Sequence, residues 1–504
     1  MTFELDGHSL TLALLADKTP SAALSSGARA AMRKSAAIVG EVLSRGKAVY
    51  GINTGFGALA GKRIADADLS ALQYNLVRSH AAGVGTPLPD GVVRRIMLLK
   101  ANSLASGASG VSPTLVDALL ALLAADVVPV IPERGSVGAS GDLAPLAHLA
   151  LALIGEGEAR HNGTILSGKD VTAAAGIEPL ALDPKDGLAL LNGTQVSAAL
   201  AIEGLFAAER LLRSAVVSGA LSIEGLAGSH APFDERIHSA RNQQGQAIVA
   251  SAFRALLTES TLWDSHQDCD RVQDPYSSRC QPQVLGAVWD TLAHAARVLE
   301  REANGTTDNP LVFSDAVISG GNFHAAPVGH VADYMAIALT DLGSLTERRI
   351  DTFMRGVNPA LPLFLAPKPG LESGFMLSHV TAAALASENK TLAHPASIDT
   401  VPTSAGQEDH VSMAPWAGLK LLRVADNVAS IIAIELAAAA VALDLQRPLE
   451  TTAALQPVHA LIRQHVPRYD QDRRHDRDIE ALRLLVTSGE IGAYLPPSAW
   501  QTPW

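Results

Sequence analysis

Aromatic residues and cysteines are scarce in this chain of 504 residues. Phe, Trp and Tyr make up 4% of it, whereas 48% of its residues are hydrophobic, so its core has to be built mainly from Ala, Leu, Val and Ile. A core of that kind favours closely packed helices. The two cysteines, Cys269 and Cys280, have a spacing that fits no metal-binding or redox motif. We therefore predict inert thiols and no metal site.

An excess of positive charge and an uninterrupted apolar run are also missing. With 39 basic and 51 acidic residues, the formal net charge is −12, which provides no basic surface for a nucleic acid. The first residues include acids and no basic segment, so we expect no signal peptide. The longest apolar stretch, VASIIAIELAAAAVALDL, is interrupted by Glu435, which argues against a membrane span. The sequence predicts a soluble, cytoplasmic protein.

Apolar residues at spacings of three and four predict helices over much of the chain. A seam of such residues from Leu422 to Leu443 is typical of a helix bundle or of a coil between subunits. We predict a mainly α protein, with an N-terminal domain at residues 1–200 and a long-helix domain at residues 201–504. The predicted helices are 28–46, 89–128, 143–155, 194–227, 282–304, 328–356, 375–393 and 416–445.

Only a few segments depart from this helical pattern. GKAVYGINTG (46–55) and DVVPVIP (126–132) have the composition of β-structure. Residues 446–480 are polar and charged, which predicts a solvated surface segment.

The loops between the helices are rich in Gly, Asn, Gln, Tyr and Arg, and loops of this kind are candidates for function. Common motifs fit them poorly. GFGALAG differs by one residue from the dinucleotide fingerprint, Asp142 stands where a hydrolase elbow needs glycine, and His324 and His330 lack a third metal ligand. The loops are YGINTGFGALAG (50–61), SHAAGVG (79–85), LNGTQ (191–195), QDPYSSRCQPQ (273–283), TDNPLV to GGNFHAAP (307–327) and SAGQEDHVSM (404–413).

One further loop, GSVGASGDLAPLAHLA (135–150), contains a chemically unusual triad, Ala139-Ser140-Gly141. Small residues let the backbone bend until the Gly141 nitrogen reaches the Ala139 carbonyl carbon. Ring closure with loss of water then gives an imidazolone, and dehydration of Ser140 leaves an electrophilic methylene group. The alternative is a simple turn in which Asp142 caps a helix at residues 143–155.

These loops occur in the order found in a known family. GSVGASGDLAPLAHL, together with YGINTGFG, LNGTQ, QDPYSSRCQPQVLG, TDNPLV, GGNFHA, SGFM and QEDHVSM, resembles the aromatic amino-acid ammonia-lyases over most of the chain, from about residue 5 to residue 490. The resemblance implies a fumarase/aspartase-like helical fold and a homotetramer whose active sites are shared between subunits. It also implies that Ala139-Ser140-Gly141 cyclises to 4-methylidene-imidazol-5-one (MIO), with no external cofactor.

The resemblance also assigns roles to individual residues. Tyr50 matches the general base, whose pKa has to be lowered or whose proton has to be polarised by a hydrogen bond. Asn192 matches the residue that holds the prosthetic group, and Arg279 the residue that binds the substrate carboxylate. The other matching site residues are Tyr276, placed with the catalytic group, and Gln273 and Phe323, which line the substrate.

Two matched positions bear on the substrate, which the resemblance implies is an aromatic L-amino acid. His80 and Glu408 are polar groups suited to an imidazole ring, so they favour conversion of L-histidine to trans-urocanate. However, Gly406 and Ala326 stand where histidine-specific members usually have Asn and an acid. Tyrosine, phenylalanine or a modified histidine therefore stays open as substrate. A 2,3-aminomutase reaction also stays open. A third hypothesis, a non-catalytic helical scaffold, is the one that the intact triad supports least.

Overall fold

The computed structural model describes residues 2–16, 21–46, 48–266 and 271–504, and α-helices dominate these ranges. Cys269 lies outside the described residues. The helices, α1 to α19 in chain order, are Leu12–Leu15, Ser26–Ser44, Leu69–His80, Asp90–Ala105, Pro113–Ala124, Leu143–Leu153, Lys169–Ala174, Asp186–Leu191, Gln195–Gly225, Glu235–Arg241, Gln244–Leu256, Thr261–Asp264, Tyr276–Arg279, Gln281–Ala303, Ala326–Met354, Met376–Leu392, Ala414–Leu445, Gln456–His465 and His475–Ser488.

The strands are short and form small sheets of two or three strands. β1 and β2 pair in parallel, whereas β3–β5, β4–β6–β7 and β8–β9 are antiparallel. The strands, β1 to β9, are Phe3–Leu5, Ala22–Leu24, Val84–Pro87, Val128–Pro129, Pro132–Arg134, Glu158–His161, Thr164–Ser167, Leu311–Val312 and Val317–Ile318. Short 3₁₀ turns occur at Gly57–Leu59, Asp66–Asp68, Ala231–Phe233, Leu363–Leu365, Ser404–Gly406, Gly492–Tyr494 and Pro497–Ala499.

The chain divides into two compact units, each built from three segments. Unit 1 consists of Met1–Glu203, Ala296–Asp333 and Pro395–Leu419, and unit 2 of Gly204–Ala295, Tyr334–His394 and Lys420–Trp504. The proposed division into domains 1–200 and 201–504 is continuous in sequence, whereas these units are not.

The prediction of a mainly helical protein is confirmed, and the five long helices begin and end within about two residues of their predicted bounds. The predicted helix 89–128 is wrong in one respect, because it is interrupted between α4 and α5. Gly107 has φ +76°, and a Cβ there would lie 2.7 Å from the Cβ of Ala31. Glycine at this left-handed position therefore ends the helix before Pro113 begins the next one.

Two other predictions need correction. The described part of GKAVYGINTG forms turns rather than a strand, with Gly51 at φ +76°. Residues 446–480 are not merely a solvated segment, because they contain α18, whose Val458 and Ile462 are buried. A charged residue of α18 also pairs within the protein: Arg463 forms an ion pair with Asp444, with Nε 2.9 Å from Oδ2. DVVPVIP does contain strand structure, in β4 and the first residue of β5.

Helix α17 supplies much of the core of unit 2. Every residue from 431 to 443 is buried, so this helix is covered on all sides rather than along one stripe. Close packing explains the small residues nearby: a Cβ on Gly204 would lie 2.7 Å from Cγ of Leu421. By length and composition alone α17 could cross a membrane, but 83% of its most apolar window is buried inside the protein.

Glu435, the one carboxylate between residues 431 and 443, is fully paired. It accepts hydrogen bonds from Arg349 at 2.5 and 2.8 Å and from the hydroxyl groups of Ser218 and Ser222 at 2.6 and 2.7 Å. The side chains of Glu435 and Arg349 are both 0% exposed. Breaking such a pair leaves an uncompensated buried charge, which costs about 3–5 kcal/mol.

We therefore expect Glu435→Gln to destabilise the protein strongly, because the charge of Arg349 would remain buried without a counter-ion. The measurement is the midpoint of chemical denaturation. As a control, Glu41→Gln removes an exposed ion pair with Arg45 and should cost less than about 1 kcal/mol. Equal midpoints for Glu435→Gln and wild type would show that the buried pair does not stabilise the fold.

Candidate active site

The Ala139-Ser140-Gly141 triad forms a strained turn between β5 and α6. Ser140 has φ +55° and Gly141 has φ +78°, a left-handed region that is unfavourable for a serine. Gly141 approaches Gly193 so closely that a Cβ on it would lie 2.6 Å from the Gly193 nitrogen. Only glycine fits at position 141, and the small residues of the loop do permit a tight bend.

Asp142 anchors this turn to the helices beside it. Its backbone N–H donates to the Gly193 carbonyl at 2.8 Å. Its carboxylate accepts from the backbone N–H and the hydroxyl group of Ser197, at 2.7 and 2.8 Å, and burial raises its pKa to about 6. The side chain thus binds the first turn of α9, and it makes no capping hydrogen bond to α6.

A cavity of about 520 Å³ in unit 1 brings together five of the predicted site residues. Four of them, including Ser140 of the triad, come from separate loops, and the fifth comes from α3. Apolar side chains from α3, α6 and α8 cover part of the wall, which reduces the access of water to the polar groups. The predicted residues that line the cavity are Tyr50, His80, Ser140, Asn192 and Glu408.

Tyr50 is half-buried in this cavity. Burial raises the pKa of its phenol and the neighbouring Glu408 raises it further, whereas a backbone hydrogen bond from Gly57 lowers it. The net rise is opposite to the lowered pKa that a base needs at neutral pH. The backbone N–H of Gly57 donates to the phenol oxygen, which stabilises the phenolate and opposes that rise.

His80 and Glu408 are the groups expected to meet the substrate ring. Burial lowers the pKa of the His80 imidazole, which favours its neutral form, and its Nδ1 lies 3.1 Å from the hydroxyl oxygen of Ser79. Glu408 Oε2 is buried and has no hydrogen-bond partner among the described residues. A buried carboxylate oxygen without a donor is poorly stabilised. A ligand N–H would supply that donor.

Asn192 ends α8 and lies in the cavity wall. Its amide nitrogen donates to the Asn309 carbonyl at 2.7 Å and approaches a carboxylate oxygen of Asp308 at 3.3 Å. Its own carbonyl accepts from the ammonium group of Lys100. Lys100 was not among the predicted site residues, although a lysine within the apolar run IMLLKAN was a visible signal.

Tyr276 and Arg279 line a different cavity, of about 470 Å³, in unit 2. The guanidinium group of Arg279 stacks over the ring of Tyr276 at 5.2 Å and donates to the Asp274 carbonyl at 2.9 Å. Cys280 also lines this cavity, and burial raises the pKa of its thiol, which agrees with the expectation of an inert thiol.

The remaining predicted positions lie outside both cavity walls. Gln273 is exposed, and Phe323 is half-buried just before α15. Gly406 has φ +81°, and no atom lies within 4 Å of a Cβ placed there. Glycine and asparagine both adopt this backbone region, so the exchange of one for the other does not require a different turn. Ala326 is the first residue of α15.

Known proteins match this chain over nearly its whole length. Residues 10–464 match the family model described as aromatic amino acid lyase. A histidine ammonia-lyase of Rhodospirillum rubrum is 56% identical over 471 residues, which cover 93% of this chain and 92% of the relative.

Two solved structures extend the comparison to the fold. Histidine ammonia-lyase from Trypanosoma cruzi has a TM-score of 0.89 at 41% identity and covers 99% of this chain and 96% of its own. Tyrosine aminomutase from Streptomyces globisporus has a TM-score of 0.92 at 35% identity, with 98% of both chains covered. The loops, the fold and these relatives agree: the chain belongs to the aromatic amino acid lyase family and is a carbon–nitrogen lyase.

Proposed function

We propose that this protein eliminates ammonia from L-histidine to give trans-urocanate. The observation that carries the proposal is the buried, unpartnered Oε2 of Glu408 in the cavity that also contains Ser140. An imidazole N–H satisfies that oxygen, whereas a phenyl ring leaves it unpaired at a cost of about 1–3 kcal/mol. The histidine ammonia-lyase of R. rubrum, at 56% identity, supports the same substrate.

We further propose that Ala139-Ser140-Gly141 becomes the MIO group. The residues present fit it, because Ser140 is already in a left-handed conformation facing the cavity and Gly141 leaves its nitrogen unhindered. Such a group supplies an electrophilic methylidene carbon, which helps the amine to leave. Asp142 holds the turn through Gly193 and Ser197.

The chain's own side chains then bind the substrate and move its proton. Tyr50 removes the β-proton of the substrate. Glu408 accepts a hydrogen bond from the N–H of the substrate ring, and the neutral His80 makes a second contact with that ring. The substrate itself helps the base: an N–H donated to Glu408 partly neutralises the carboxylate charge that raises the Tyr50 pKa. Arg279 has the planar guanidinium group that suits the substrate carboxylate.

The alternative reaction is that of an aminomutase or of a lyase for another aromatic amino acid. It is favoured by the absence of polar side chains at Gly406 and Ala326, where histidine-specific members usually have Asn and an acid. Tyrosine aminomutase from S. globisporus also has this fold. A β-amino acid product would identify the aminomutase reaction, and an olefin with free ammonia the lyase reaction.

We expect the intact mass of the wild-type protein to be two water masses below that of the translated sequence, because ring closure and dehydration of Ser140 each release water. Ser140→Ala should fold normally, keep its full translated mass and lose activity by at least about a thousandfold. Mass spectrometry and an absorbance assay measure both effects. An active wild-type protein of unmodified mass would refute the MIO proposal.

We expect the wild-type protein to prefer L-histidine to L-phenylalanine by more than about a hundredfold in kcat/KM, which corresponds to about 3 kcal/mol. Glu408→Gln keeps the shape of the side chain but removes its charge, so it should impair histidine turnover. His80→Leu should also impair it and spare phenylalanine. Equal turnover of phenylalanine or tyrosine by the wild type would exclude the histidine assignment and leave the lyase chemistry intact.

We also propose a homotetramer in which each active site takes residues from more than one subunit. Coexpression of Tyr50→Phe and Arg279→Ala chains should then restore activity at up to about a quarter of the sites, because hybrid assemblies contain some sites with both native residues. Each variant expressed alone is the control. A fully active monomer in analytical ultracentrifugation would contradict this proposal.

A further inference from the structure

Lys100 is a buried cation beside the candidate site that the proposed reaction does not use. It lies in the middle of α4 and is 1% exposed. Its Nζ donates to the carbonyl oxygen of Ala189 at 3.2 Å and to that of Asn192. These oxygens belong to the end of α8, where backbone carbonyls lack partners within the helix. The ammonium group of Lys100 therefore caps the C-terminal end of α8.

The charges around Lys100 are balanced. Asp308 and Asp142 are the acids that stabilise its charge, and Lys185 is the cation that opposes it. Lys185 itself forms an ion pair with Asp308 at 2.6 Å, with side chains 0% and 3% exposed. Burial lowers the Lys100 pKa to about 7 against the pull of the two acids. Two basic side chains, Lys100 and Lys185, thus lie in one buried region with two acidic ones, Asp142 and Asp308.

The peptide that Lys100 contacts is the one that supports Gly141. The backbone carbonyl of Asn192 accepts from Lys100, and the side-chain Nδ2 of Asn192 donates to the Asn309 carbonyl. The next carbonyl, of Gly193, accepts from the backbone N–H of Asp142. Gly141 lies directly against Gly193, with no room for a side chain. A shift of the Asn192–Gly193 peptide would therefore move the support on which the triad bends.

We propose that Lys100 is a positioning residue for maturation of the triad: its ammonium group fixes the Ala189 and Asn192 carbonyls and so keeps Gly193 against Gly141 during ring closure. This inference rests on the proposed MIO group. Ring closure forms a bond between the Gly141 nitrogen and the Ala139 carbonyl carbon. The Ala139 oxygen leaves as water with the hydrogens of the Gly141 and Ser140 nitrogens. The Ser140 hydroxyl group leaves as a second water with the Ser140 Cα hydrogen. Lys100 takes no part in these bonds.

The test compares intact masses of soluble, folded wild type, Lys100→Met and Leu98→Ala. Lys100→Met keeps an unbranched side chain, one heavy atom shorter than that of lysine, and removes its charge and its donors. Leu98 is a buried residue of the same helix, 2% exposed, so its truncation destabilises α4 but leaves the hydrogen bonds from Lys100 to the two carbonyls in place. We expect most Lys100→Met chains to keep the unmodified mass and its activity per chain to fall about a hundredfold. Leu98→Ala should show the full loss of two waters.

The remaining outcomes also decide the matter. Complete dehydration of Lys100→Met, whatever its turnover, overturns the inference. Incomplete dehydration of both variants overturns it as well, since reduced stability alone would then explain the effect. If Lys100→Met is insoluble, Lys100→Leu, which is also neutral and also lacks donors, is judged by the same masses. A wild type without the mass deficit would refute the MIO proposal itself, which separates the two failures.

Discussion

The contact between the backbones of Gly141 and Gly193 is the constraint on which the candidate site depends. This contact leaves no room for a Cβ on Gly141. Ser140, the residue before it, faces the cavity from a left-handed turn. Through Gly193 the same contact joins three helix ends: the start of α6, the end of α8 that carries Asn192, and the start of α9 that binds Asp142. A side chain at position 141 would separate all three.

Periodicity predicts the long helices of this fold well, because burial of apolar faces determines where they lie. The predicted helix 194–227 corresponds to Gln195–Gly225, and 416–445 to Ala414–Leu445. Local backbone geometry was not predictable in the same way. The apolar pattern continues on both sides of Gly107, so the break between α4 and α5 becomes evident only from its left-handed φ and its contact with Ala31.

The candidate site was predictable to a different extent for different residues. Tyr50, His80 and Glu408 were found because their loops match a family pattern, and the structure brings all three to one cavity. The direction of the Tyr50 pKa shift and the contact of Lys100 with Asn192 were not predictable, since both depend on burial and on neighbours distant in sequence. A single lysine in a helical pattern ordinarily extends its ammonium group to solvent.

The left-handed backbone at Gly406 has a consequence for how such an enzyme can evolve. Asparagine is one of the few other residues that tolerate this backbone region, and no atom lies within 4 Å of a Cβ placed there. A polar side chain at position 406, beside the cavity residues Ala405 and Glu408, is therefore sterically accessible at the cost of some backbone strain. Position 406 therefore has room for a side chain, whereas position 141 excludes any Cβ.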